Sequence, residues 1–60
     1  MSSQALINQV RIRKLWRDVR EYDDIIQKAK KHGHPEIALK AVNAKLSALT
    51  QIQELYENPG

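Results

Sequence analysis

Six apolar residues, Ile12, Leu15, Val19, Tyr22, Ile26 and Ala29, succeed one another at alternating intervals of three and four. That interval matches the α-helical repeat and not the two-residue repeat of a strand, so the six line one side of a helix. Arg13, Arg17, Arg20 and Lys31 fall on the other side, giving a rod with an apolar seam and a basic back. The same spacing carries the seam backward through Asn8 to Ala5. An amide at a seam position fixes register or partner orientation in helical assemblies; if the first turns fray, Asn8 is instead left in water. Ser2 or Ser3 is placed to supply the N-cap hydroxyl.

The seam ends where the chain reads His32-Gly33-His34-Pro35. Glycine suits the left-handed position just past a helix end, and Lys28, Lys30 and Lys31 complement the negative end of the helix dipole. Pro35 is tolerated at a first helical position, and Glu36 favours a first turn. The spacing therefore predicts one helix over about residues 5–31, a turn over 32–35 and a second helix over about 35–57, with 1–60 as one module. A link this short makes the two helices an antiparallel hairpin. Asn58-Pro59-Gly60 ends the second helix, and its last residues are expected to fray.

The second helix has a wider apolar sector than the first. Leu39, Val42, Leu46, Leu49 and Tyr56 form one stripe, with Ala38, Ala41, Ala48 and Ile52 beside it and Leu55 further round. At 100° per residue the arc spans roughly 200°, interrupted by Lys45. A single neighbouring helix cannot cover that much, and the small alanines invite close approach of another. The expected fold is all-α: an antiparallel two-helix hairpin assembling into a homo-oligomeric helical bundle, either a dimeric four-helix bundle or a larger ring. Leu39, Val42, Leu46, Leu49, Ile52 and Tyr56 are its expected oligomer interface.

Length argues the same way. Sixty residues bury little core as a monomer, and with no cysteine neither disulfides nor zinc thiolates can compensate. Chains of this size gain stability by association or by near-ideal helix packing. Nothing resembles a signal peptide, and no run approaches the roughly 20 apolar residues that a membrane span needs. A cytoplasmic protein without a membrane partner is the expectation.

The net charge of +3 is unevenly spread. Up to Lys31 the bases are Arg11, Arg13, Lys14, Arg17, Arg20, Lys28, Lys30 and Lys31, against Asp18, Glu21, Asp23 and Asp24. Beyond it Lys40 and Lys45 face Glu36, Glu54 and Glu57, so the first part is +4 and the second −1. That asymmetry favours an acidic or polyanionic partner on the first helix. Arg13, Arg17 and Arg20, with Trp16 near the edge of the same surface, form a candidate nucleic-acid face: guanidiniums neutralise phosphates, and an exposed indole stacks on an unpaired base. Against this, Lys14 with Asp18, Arg17 with Glu21 and Arg20 with Asp24 are all spaced for ion pairs that would make the face self-compensating. Trp16 would then pack at a subunit boundary.

Other chemistry has little to stand on. His32, His34 and Glu36 are close in sequence but lack the i,i+4 histidine spacing of zinc helices, so no metal is expected. Asp23-Asp24 reads as a solvated pair. Ser47 and Thr50 have no histidine in register, no glycine-rich phosphate loop is present, and a hairpin offers no concave site. The chain is expected not to be an enzyme and to carry no cofactor, although a small-molecule pocket at an oligomer interface stays open.

One stretch has a family likeness. Ala29, Gly33, Ala38-Leu39-Lys40-Ala41, Leu46, Leu49 and Leu55-Tyr56, within Asp24 to Glu57, resemble the helical region of phage small terminase subunits and related phage helix-turn-helix proteins. The resemblance covers about half of the chain and implies an oligomerising, nucleic-acid-associated phage module, serving in packaging or regulation. Two readings of function follow: a homo-oligomeric module whose arginine face contacts DNA or RNA, or an adaptor or inhibitor that docks another protein through its apolar or basic helix face.

Overall fold

The computed structural model describes residues 3–58. Two helices account for nearly all of them: α1, Ser3–Lys31, and α2, Pro35–Glu57, packed against each other as a hairpin. Helix α1 begins two residues earlier than its apolar seam implies. Ser3 is thereby inside the helix, and Ser2 lies outside the described residues.

The turn is built by the backbone. Gly33 takes φ +75, and its N–H donates to the Lys30 carbonyl at 3.3 Å while the His34 N–H reaches the Ala29 carbonyl at 2.8 Å. These two nested bonds form a Schellman cap, which satisfies carbonyls that the end of α1 would otherwise leave unpaired. Pro35 then opens α2 without losing a needed donor, and the Ala38 N–H returns to the His34 carbonyl at 3.2 Å.

The α1 seam is the one the spacing predicts. Asn8, Val19 and Ala29 are buried, and Ala5, Ile12, Leu15, Tyr22 and Ile26 are half-buried between them. Asn8 is 5% exposed, so it is not left in water; its carbonyl oxygen accepts from the Gln4 side-chain amide one turn earlier, at 2.9 Å.

On α2 it is the alanine row that meets α1. Ala38, Ala41, Ala48 and Ile52 are buried, with Lys45 and Leu55 half-buried at the intervening seam positions. The core cluster is Val19, Ala48 and Ile52, with Leu15, Tyr22 and Leu49 against it. Large residues on α1 thus meet small ones on α2, which lets the helix axes come close. The alanines serve the hairpin itself and not the approach of a further helix. Ile52 shares this fate: it sits four residues after Ala48, on the same row, and is 4% exposed. Its place is the hairpin core, whatever else packs outside.

Most of the leucine row lies outside this core, with Leu49 packed at its edge. Leu39, Leu46 and Tyr56 are 62%, 56% and 61% exposed, and Val42 and Leu49 are half-buried. The molecule is a slab with Cα extents of 48 × 14 × 9 Å and a radius of gyration of 14.1 Å, against about 10 Å for a compact domain of this length. Helix α1 has 29 residues against 23 in α2. Its first turns, carrying exposed Leu6 and Ile7, therefore reach beyond the end of α2.

Candidate nucleic-acid and association surfaces

Two surfaces of the hairpin are unused by its own core. The first runs along the outer side of α1. Arg13, Trp16, Arg17 and Arg20 line one shallow groove together with Val10, Lys14, Glu21 and Asp24. The sequence places these four candidates at positions 13, 16, 17 and 20, one turn apart, and the structure brings all of them to this groove. Trp16 is 42% exposed, with part of its ring available to solvent.

The ion pairs expected to neutralise this groove do not form. Asp24 turns the other way along α1 and accepts from Lys28 at 3.0 Å, and Asp23 crosses the hairpin to Lys45 at 2.7 Å. Among the described residues, no carboxylate lies within salt-bridge distance of Arg13, Arg17 or Arg20, and neither Lys14 with Asp18 nor Arg17 with Glu21 is joined. Competition accounts for Arg20, since Asp24 lies four residues from both Arg20 and Lys28 and pairs with the lysine, whereas Asp18 and Glu21 take no basic partner among the described residues. Each exposed i,i+4 pair is worth only a few tenths of a kcal/mol, too little to hold two long side chains in one geometry. Three guanidiniums are left facing water with their charge unspent.

The second surface is the leucine row of α2. Of the six interface candidates, Leu39, Leu46 and Tyr56 stand open, Val42 and Leu49 are partly covered, and Ile52 lies inside the hairpin. The groove between the helices on the opposite flat side is mixed: Arg11, Asp18, Ser47, Gln51 and Glu54 rim it, with Leu15, Tyr22, Ala48 and Leu55 also lining it. What spacing could not reveal is which of the two α2 rows would be spent on α1.

His34 Nδ1 stands 3.9 Å from Glu36 Oε1, both exposed, and His32 is exposed as well. Among the described residues, no group of three His, Asp or Glu side chains is placed to hold a metal. Among the described residues, no helix is long and apolar enough to cross a membrane. Comparison with family models, curated proteins and solved structures finds no match to this chain.

Proposed function

We propose that the chain is a self-associating helical module whose arginine-bearing α1 groove binds the phosphates of DNA or RNA in the cytoplasm, in keeping with the phage packaging or regulatory role that the terminase-like stretch implies. The observation that carries this reading is the unpaired state of Arg13, Arg17 and Arg20 beside an exposed Trp16. A guanidinium without a carboxylate keeps its full charge for a phosphate, and an indole within one turn of three of them can stack on a base. Association multiplies the effect, because two linked grooves bind one strand with avidity.

Titration of labelled duplex and single-stranded oligonucleotides tests it. Affinity is expected to fall steeply with salt. Replacing Arg13, Arg17 and Arg20 by alanine should flatten the log–log salt slope by about 0.7–0.9 for each phosphate that a copy no longer neutralises. Binding that ignores salt, or no binding to any oligonucleotide, removes the proposal. The exposure of Leu39, Leu46 and Tyr56 favours a second reading, an adaptor that docks another protein there. A stable complex with one protein partner, lost in Leu46→Asp and indifferent to the three arginines, would favour it over the first.

A further inference from the structure

Helix α2 carries two seams, and they are offset by a single residue. Ala38, Ala41, Lys45, Ala48, Ile52 and Leu55 face α1; Leu39, Val42, Leu46, Leu49, Gln53 and Tyr56 repeat the same three-four spacing one position later. One residue is a step of about 100° around a helix. The second seam therefore points out of the flat face of the slab, at right angles to the first.

We infer that a second copy of this chain docks along that second seam, its α2 antiparallel to the first, about a two-fold axis between Leu46 and Leu49. This rests on the self-association proposed above and specifies its geometry. Three observations carry it. The first is area. A folded chain of 6.9 kDa exposes about 4000 Å², whereas this hairpin exposes 4828 Å². The excess of about 800 Å², summed over the elongated molecule, is of the size that one partner of a standard interface covers.

The second is the palindromic spacing. Reversed end to end, the seam superimposes on itself: Leu46 meets Leu49 of the second copy, Leu39 meets Tyr56, and Val42 meets Gln53. An isologous contact demands that kind of self-complementarity. A parallel pairing would instead stack both Gln53 and both Tyr56 side chains at one end, and would align the helix dipoles.

The third is charge. The outer flank at the dyad is Asn43 and Thr50, both uncharged. The inner flank is Lys45, already neutralised by Asp23 at 2.7 Å. Within the α2 seam, like charges meet only at its ends, where Glu36 faces Glu57 of the second copy. Both are exposed and open to screening by salt. The same two-fold axis sets both α1 helices on one side of the α2 pair, so that the Arg13 and Arg20 rows of the two copies border one groove.

Cysteine cross-linking decides the matter, since the native chain has no cysteine. Under a mild oxidant, the double variant Leu39→Cys with Tyr56→Cys should become a covalent dimer. Leu39→Cys alone should not, because its two copies would lie about 25 Å apart at 1.5 Å per residue over the intervening helix. Both positions are exposed, so the hairpin survives the changes, and circular dichroism verifies its helicity. Glu57→Lys should tighten the dimer, most at low salt. Efficient linking of Leu39→Cys alone in a protein whose native mass is dimeric would overturn the antiparallel dyad while leaving self-association intact. A native chain that remains a monomer at hundreds of micromolar would overturn both.

Discussion

The Lys45 ammonium lies 2.7 Å from the Asp23 carboxylate, tying the middle of α2 to the middle of α1. Lys45 occupies a seam position among alanines, where its stem packs on α1 and its charge emerges at the edge. The pair neutralises a cation that sits beside two apolar rows.

Replacing Asp23 by Ala should therefore cost stability modestly. Both side chains are partly exposed, at 32% for Lys45 and 47% for Asp23, so solvent screening holds the loss to about 0.2–1 kcal/mol. Thermal unfolding should show a small drop in Tm that shrinks as salt is added. A loss that is large and insensitive to salt would mean the pair does something other than screen a charge.

The two rows of α2 should respond in opposite ways to substitution. Ala48→Leu forces a large side chain into the close helix contact and should destabilise the hairpin by about 1–3 kcal/mol. Leu46→Ala, on the open row, should leave the dilute hairpin nearly unchanged and instead abolish the concentration dependence of Tm that association confers. If Leu46→Ala proved the more damaging to the isolated hairpin, the assignment of the rows would be reversed.

At the turn, the order of stability should be Gly33, then Gly33→Asn, then Gly33→Ala. A Cβ at this position meets nothing within 4 Å, so the penalty comes only from φ +75. Alanine in that left-handed region costs about 1–2 kcal/mol, and asparagine less. Denaturant midpoints of the three proteins check the order. Equal midpoints would mean that the cap contributes nothing.

Much of the hairpin is legible in the chain before any coordinates. The Ala5-to-Ala29 seam is a single unambiguous row, and His32-Gly33-His34-Pro35 can only be a stop followed by a start. Helix α2 is different, because its two rows share one period and differ by one residue. Hydrophobicity favours handing the leucines to α1; the bulk of Leu15, Tyr22 and Ile26 favours the alanines, and steric fit prevails. Ile52 follows the alanines into the core for that reason alone. The arginine groove is legible as a cluster, but its lack of acid partners is not. Spacing allows Asp24 to pair with Arg20 or with Lys28, and nothing local hints that Asp23 would reach across to Lys45.

The central claim is that the hairpin spends its alanines internally and leaves its leucines for a second copy. Sedimentation equilibrium of the native chain alongside Leu46→Asp tests this most directly. The native protein should sediment at a multiple of its 6.9 kDa chain mass, dissociating on dilution, and the variant at the mass of one chain with its helicity kept. A native chain that is fully helical and monomeric throughout the concentration range would contradict it.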